Sequence, residues 1–325
     1  MVALAVSTVV LTAPGVSTAD DAGSAPDTIT GSDGRVYPAA PRVVVGRHGE
    51  LFYGRSFDLF CADGDGDFEH GFEQLARLAT VIRSSGRRVV FSVVPDKAHV
   101  RGHNLVLERL PHGRCDRRGI RERRRLLAGH RDPSHLSLTG VLSDRQRRLF
   151  WKTDSHWTSV GTAAYARALA TRLDPALGAR QRYRAGRPQT ALQPFAEAVG
   201  RTTPETVPTR RPAPGVRVHQ LRGPSEIQYG VVTADLAWRS SPAKRTLPGR
   251  TLVLGDSFAC LAIENLRPLF RRGRFLWVGY TDQDTIDAAV VRSDTVVIEI
   301  AEWLVTTSPL TQDAFRQSVR RALRT

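Results

Sequence analysis

The segment Thr251-Leu-Val-Leu-Gly255-Asp256-Ser257-Phe258 decides how the chain is to be read. A short apolar run reaches a glycine, and an Asp-Ser pair then opens an apolar stretch that continues to about Phe270. That pattern is a buried strand, a tight turn and a helix, with a serine at the carboxyl end of the strand. Outward from it, the same alternation recurs. Phe72, Leu75, Ala76, Ala79 and Ile82 share one helical face that stops at Gly86, and Val89–Val94 follows as an unbroken apolar strand ending at Pro95. Thr158 or Ser159 caps a helix that runs to Leu173, before Pro175. Phe275–Val278 leads into a helix at Thr285–Val291, and Thr295–Ile300 precedes a C-terminal helix carrying Phe315, Val319 and Leu323. Near-continuous strands alternating with helices predict an α/β fold with a mostly parallel sheet flanked by helices. Ahead of these units, Val43–Val45 and Leu51–Tyr53 flank a Gly-Arg-His-Gly-Glu turn and read as a hairpin. Residues 42–325 are therefore expected to form a single domain with an irregular insertion at about 175–245. The stretch 112–148 reads as basic and polar, with solvated charge runs at Arg121–Arg125 and Arg145–Arg148.

A serine at the carboxyl end of a parallel strand stands where α/β folds place their sites, and a helix N-terminus beside it suits an oxyanion. Ser257 is thus a candidate nucleophile, although an Asp-Ser pair also serves as a plain helix cap. A nucleophilic serine needs a base, and the base needs an orienting group. Of the nine histidines, His156 has the best setting, in Trp151-Lys152-Thr153-Asp154-Ser155-His156-Trp157-Thr158. An acid two residues before the imidazole can hold Nδ1 and leave Nε2 facing outward. The two motifs together point to a Ser257–His156–Asp154 triad. His99 and His103 have HxxxH spacing, but no Glu follows His99 and both read as polar loop residues. Asp63, Asp65 and Asp67 imitate a calcium loop, yet Phe68 replaces its glycine and Gln74 its bidentate Glu. Glu299 and Glu302, at the end of the last strand, either line the site or pair with arginines. No residue set has metal-ligand spacing, and no metal or cofactor is expected.

The chain has 325 residues, 41% of them hydrophobic and 24% charged, which is the composition of a folded protein. Its net charge of +15 rests on arginine, since only Lys97, Lys152 and Lys244 are lysines. With 7% aromatic residues and no nucleic-acid-binding motif, the charge reflects GC-rich codon usage or an anionic polymer or membrane surface, and not nucleic acid. Residues 1–19 form a short apolar run ending Ser17-Thr-Ala19, read as a signal peptide or the remnant of a signal anchor, and 20–41 as a flexible linker. Three cysteines without CxxC spacing give no zinc site. Cys61 and Cys115, in polar segments of one half of the chain, are the natural disulfide in an oxidising compartment, leaving Cys260 buried and free.

Asp154-Ser-His156-Trp followed by Gly255-Asp-Ser257-Phe resembles the SGNH-hydrolase-like domain of the alginate O-acetyltransferases (AlgX/AlgJ type). Gly46-Arg-His-Gly-Glu-Leu-Phe-Tyr53 is similar to that family's G-x-D-G-W-L-F-Y opening, Val94-Pro-Asp-Lys97 to its P-x-K segment, and Val297-Ile-Glu-Ile-Ala-Glu302 to its V-x-E-x-x-E-R ending. The similarity spans about residues 42–305. His48 and Glu50 replace the opening's Asp and Trp, and Trp303 the final Arg. The resemblance implies an SGNH-hydrolase-like fold with permuted motif order, Asp-x-His before Gly-Asp-Ser. It assigns Ser257 as nucleophile, His156 as base and Asp154 as its orienter. It further implies an exported enzyme (extracellular, periplasmic or attached outside the cytoplasmic membrane) that moves acetyl groups onto polysaccharide hydroxyls. A membrane-bound O-acyltransferase partner would supply the acetyl. Glu302, Tyr280 and Lys97 are the candidates for substrate contact. The competing readings are a carbohydrate esterase with the same triad and a non-catalytic glycan-binding protein.

Overall fold

The computed structural model describes residues 28–324 apart from 33, 63–65, 145–146 and 225–232. The apolar N-terminal run, the first part of the linker, Asp63, Asp65 and Arg145 lie outside the described residues. In chain order the elements begin with β1 (Thr28–Thr30), β2 (Val36–Pro38), β3 (Val43–Val45), β4 (Leu51–Tyr53), α1 (Gly54–Ala62), α2 (Asp67–Ser84), β5 (Arg88–Val94), α3 (Lys97–Arg101), α4 (Arg114–Gly129) and α5 (Ser159–Leu173). The second half holds α6 (Pro175–Arg180), β6 (Tyr183–Ala185), β7 (Gln189–Ala191), α7 (Pro194–Ala198), β8 (Glu205–Val207), β9 (Arg210–Pro212), β10 (Arg217–Arg222) and β11 (Asp235–Ser241). It ends with β12 (Leu247–Gly255), α8 (Ser257–Leu266), β13 (Phe270–Trp277), α9 (Gln283–Val291), β14 (Thr295–Ala301) and α10 (Asp313–Ala322).

The central sheet runs β10-β11-β13-β12-β14-β5. Strands β13, β12, β14 and β5 are parallel, and β10 and β11 form an antiparallel edge. Alternate residues of each central strand point to opposite faces. Val253, Val297 and Ala301 pack with Tyr165 and Leu169 of α5 and Phe258 and Ile263 of α8 on one face. Leu252, Leu254, Ile298 and Ile300 pack with α2, α9 and α10 on the other. Both faces being covered explains the near-continuous apolar strands, and each fully buried Leu, Val or Phe contributes about 1.5–3 kcal/mol.

Three expectations change. The 20–41 linker contains the β1–β2 hairpin, which turns at Gly31–Gly34 and is tied down by Ser32 N–H to the Cys61 carbonyl (2.8 Å) and Ala40 N–H to Asp58 (2.7 Å). The 175–245 segment is not wholly an irregular insertion: β10 and β11 complete the main sheet, and β6–β9 and β7–β8 are hairpins. The 112–148 stretch is not only solvated charge, because α4 buries Cys115, Gly119, Arg123 and Leu127 against α1 and its neighbours. A cysteine, a glycine and an arginine do not read as an apolar stripe. A Cβ on Gly119 would lie 1.9 Å from the Phe60 carbonyl oxygen, so only glycine allows the two helices to meet. The Arg123 guanidinium lies over the Phe68 ring (4.5 Å) and donates to the Leu59 carbonyl (2.7 Å).

Cys61 and Cys115 are joined in a disulfide, and both lie on helices, α1 and α4. The bond closes a loop of 54 residues, for which chain entropy gives about 4 kcal/mol. The Cys61→Ser/Cys115→Ser double variant should lose roughly this much in urea unfolding. An unchanged midpoint would show that the α1–α4 contact needs no cross-link.

Candidate active site

Strand β12 ends at Gly255 beside Glu299 of β14, and a Cβ on Gly255 would lie 2.3 Å from that of Ala259. Glycine is therefore required for the chain to turn directly into α8. Asp256 caps that helix: Oδ1 accepts from the Phe258 N–H (2.8 Å), and Oδ2 accepts from the Ala301 N–H (2.7 Å) at the end of β14. Ser257 is consequently the first helical residue, and its N–H belongs to the first-turn donors that lack an intrahelical acceptor.

His156 sits in a narrow loop closed by the Phe150–Trp157 bridge, Trp151 N–H to the His156 carbonyl (3.0 Å) and Thr158 N–H to the Leu149 carbonyl (2.8 Å). Asp154 Oδ1 accepts from the His156 N–H (2.8 Å) and meets Nδ1 at 2.7 Å. With Nδ1–H donating to the carboxylate, Nε2 is left as acceptor for the Ser257 hydroxyl, 2.9 Å away. The structure thus joins Ser257, His156 and Asp154 in one hydrogen-bonded line, with Asp154 buried and His156 partly open to solvent. The residues flanking the triad lock the two motifs together: Trp157 Nε1–H donates to the Phe258 carbonyl (3.1 Å), and the Phe258 ring lies 4.6 Å from the imidazole. Trp303 packs edge-on against Phe258 and Tyr53.

Lys97 is no substrate contact. It is 1% exposed, and its ammonium donates to the carbonyls of Leu51 (2.8 Å), Trp151 (2.6 Å), Lys152 (2.9 Å) and Asp154 (3.0 Å) beside Glu50 at 2.9 Å. Burial pulls the ammonium down from the usual lysine range, against the pull of Glu50. Glu302 is also buried away from any acceptor: it takes the Asp96 N–H (2.8 Å), meets His99 Nε2 at 2.8 Å and lies 3.8 Å from Arg123. Burial would raise its carboxyl, but His99 and Arg123 outweigh that and hold it low. His99 is therefore a buried partner of Glu302, not a polar loop residue, while His103 is exposed. Tyr280 stays 40% exposed just past β13, at the sheet end that carries Ser257, with its ring against Trp277. Burial pushes the Cys260 thiol up to about 12, so it is inert at neutral pH.

One residue the sequence reading missed is Glu205 of β8. Its carboxylate accepts from the Lys152 N–H (3.0 Å), the Thr153 N–H (3.0 Å) and the Thr153 hydroxyl (2.7 Å), bracing the His156 loop from outside. It lies in a stretch without periodicity, 52 residues from the loop it holds, and no local pattern marks it. A cavity of about 1090 Å³ lies against the outer face of α5, lined by Val160, Ala164, Arg167 and Arg172 among others, and contains none of the triad. Among the described residues no group of three or more His, Cys, Asp or Glu is placed to hold a metal ion.

Two variants separate the inner brace from the outer one. Lys97→Met should destabilise the protein by about 3–5 kcal/mol, because it takes the donor from four carbonyls and leaves the buried Glu50 carboxylate with Arg101 as its remaining cation. Glu205→Ala should instead lower kcat on a p-nitrophenyl ester about ten- to hundredfold by loosening the His156 loop, with little change in urea midpoint. Equal effects of both variants on unfolding would contradict this division.

The family model described as "SGNH hydrolase-like domain, acetyltransferase AlgX" matches residues 43–217, which include Asp154 and His156 and stop before Ser257. Among solved structures, Bacillus cereus PatB1 with a sulfonyl adduct superposes with a TM-score of 0.55 at 13% identity, over 76% of this chain and 92% of that one. The O-acetyltransferase domain of Pseudomonas putida AlgJ gives 0.51 at 16% identity, over 86% and 98%. Pseudomonas aeruginosa AlgX gives 0.51 at 15%, over 86% of this chain and 65% of its own. At these identities the likeness is one of fold. No curated protein matches the chain. The family match covers more than half of the sequence, and the sheet continues the fold through the Gly255-Asp256-Ser257 turn beyond it: the chain belongs to the AlgX-type acetyltransferase family with an SGNH hydrolase-like domain.

Proposed function

We propose that the protein is an O-acetyltransferase that carries acetyl on Ser257 and delivers it to hydroxyl groups of an extracellular or cell-envelope polysaccharide. The observation that carries this reading is the unbroken line Asp154–His156–Ser257, with contacts of 2.7 and 2.9 Å. His156 Nε2 takes the serine proton as Oγ attacks the acetyl carbonyl of the donor. The negative charge that develops on the carbonyl oxygen falls at the N-terminus of α8, where the Ser257 N–H and the helix dipole favour it. Collapse breaks the donor's acyl bond, the leaving group takes the proton from His156, and acetyl-Ser257 remains. A sugar hydroxyl then gives its proton to Nε2 and attacks the ester carbonyl, and Ser257 recovers its proton as it leaves. Asp154 holds the tautomer throughout and stabilises the imidazolium.

Acetyl would arrive from a membrane-bound O-acyltransferase, which places the protein outside the cytoplasmic membrane and close to it. No helix among the described residues is long and apolar enough to cross a membrane. Tyr280, exposed at the same end of the sheet, is the remaining candidate for contact with the acceptor.

Ser257→Ala and His156→Ala should each lower turnover of an acetyl-ester reporter by on the order of 10³-fold or more, since triad members act as a unit. A sulfonyl fluoride, the electrophile class suggested by the PatB1 adduct, should label the wild type at Ser257 and leave Ser257→Ala unlabelled. Near-normal turnover in Ser257→Ala would overturn the assignment. Addition of oligosaccharide acceptors should divert acetyl from free acetate to sugar ester, read by mass spectrometry. Acetate release unchanged across neutral and acidic glycans would instead identify an esterase.

A further inference from the structure

The mechanism leaves one buried ionisable group unused. Glu299 lies on β14 immediately after the Leu254–Ile298 pair that aligns β14 with β12, and it is fully buried. On its strand it alternates with Val297 and Ala301, so it points to the same face as they do, toward α5 and α8. Neither carboxyl oxygen has a side-chain partner among the described residues. Its surroundings belong to the nucleophile turn. A Cβ on Gly255 would come within 3.1 Å of Glu299 Oε2, and the carboxyl lies against the Ala259 N–H in the first turn of α8. Asp256 in the turn acts on it, and Glu299 in turn acts on Tyr165 of α5, whose hydroxyl accepts from Ser92 at 3.4 Å.

Two carboxyls that act on each other, one of them Glu299 with neither oxygen hydrogen-bonded to a side chain among the described residues, do not both ionise in a dry site. Asp256 is the one solvated by the protein, because its oxygens accept the Phe258 and Ala301 N–H groups. We propose that Glu299 is a neutral carboxylic acid beneath the nucleophile turn and acts as a positioning residue that keeps the N-terminal end of α8 free of opposing negative charge. Burial first, and the Asp256 charge second, push its carboxyl well above the ordinary glutamate range. A carboxylate here would face the helix end where the oxyanion forms, and would repel Asp256 from the two N–H groups that fix the turn. The low local dielectric magnifies both effects. The inference rests on Ser257 being the nucleophile, but the protonation of Glu299 can be measured without turnover.

The test compares wild type with Glu299→Gln, a neutral side chain of the same shape. The amide variant is expected to keep kcat within about threefold at neutral pH, where the acid is uncharged in the wild type. Above the point at which Glu299 ionises, wild-type kcat should fall about tenfold per pH unit, as for loss of one essential proton, while Glu299→Gln lacks this limb. Stability should follow the same sign. The raised folded-state pKa gives wild type its full stability below the ordinary glutamate value, and that stability is lost as pH rises. Glu299→Gln should therefore gain on wild type in urea midpoint from pH 5 to pH 9. In infrared spectra, the carbonyl band of a protonated carboxylic acid should be present in wild type at pH 7, vanish together with kcat at alkaline pH, and be absent from Glu299→Gln. Where the amide variant fails to fold, titration of the wild-type band alone decides the protonation. An alkaline limb shared by both proteins, a loss of a hundredfold or more in Glu299→Gln at neutral pH, or no carboxylic acid band at pH 7 would each overturn the proposal. Inactivity of Ser257→Ala and retention of the infrared band in that variant separate this proposal from the nucleophile assignment.

Discussion

The Lys97 ammonium is the point on which the site is assembled. It follows the last residue of β5 by three positions and reaches under two segments that have no strand pairing with that sheet, the β3–β4 hairpin and the loop of Asp154 and His156. Four backbone carbonyls converge on it, with the Glu50 carboxylate as counter-charge. Burying a cation is costly unless its donors are all met, so the carbonyls are held in place by the same energy that would penalise their departure. Glu50 in turn is shared with Arg101 (2.9 Å), which ties the hairpin turn to α3. A fixed charge at the end of a rigid strand thereby sets the height of the loop that carries His156.

The other carboxyls around this end of the sheet are each handled differently. Asp256 is solvated by two backbone N–H groups and stays a helix cap. Asp96 caps α3 through the Ala98 N–H (2.6 Å) and takes the Ser56 hydroxyl (2.6 Å). Glu302 is matched by His99 and Arg123, while neither oxygen of Glu299 has a side-chain partner among the described residues. Such a concentration of acids would destabilise the fold if all were charged and unpaired. Backbone donors, one buried arginine and a neutral carboxyl keep the local charge small, so that Asp154 remains the carboxylate directed at the imidazole. This arrangement suits a reaction whose transition state adds one negative charge at the start of α8.

The His156 loop is gripped from both sides, by Lys97 within and by Glu205 outside. The inner grip belongs to the core, and the outer one to a surface hairpin that also carries an exposed pair with Arg148 (2.9 Å). The imidazole can therefore be fixed to within the tolerance that proton transfer demands without extending the core to the surface.

What the sequence by itself determined follows from local periodicity. Unbroken apolar strands and one-sided helices required a covered, mostly parallel sheet, and the turn at Gly255 put a serine at its carboxyl end. The Asp154-x-His156 spacing also carries its own geometry, because two residues suffice to bring a carboxylate to Nδ1. Charge patterns were less legible. Arg123 and Lys97 read as solvated or substrate-facing groups, and for Glu302 the choice between lining the site and pairing with an arginine stayed open, since a sequence shows a charge but not the partner that allows its burial. The outer strands β10 and β11 were hidden for a related reason: β10, at the edge, is almost wholly exposed, and β11 beside it buries only Leu236, Trp238 and Ser240, too few apolar positions to stand out in an arginine-rich stretch. Only the tertiary structure decided that Ser257 and His156, 101 residues apart, meet at 2.9 Å. That distance depends on strand order and on a buried ammonium gripping a remote loop, and both are set by packing between segments that no local pattern encodes.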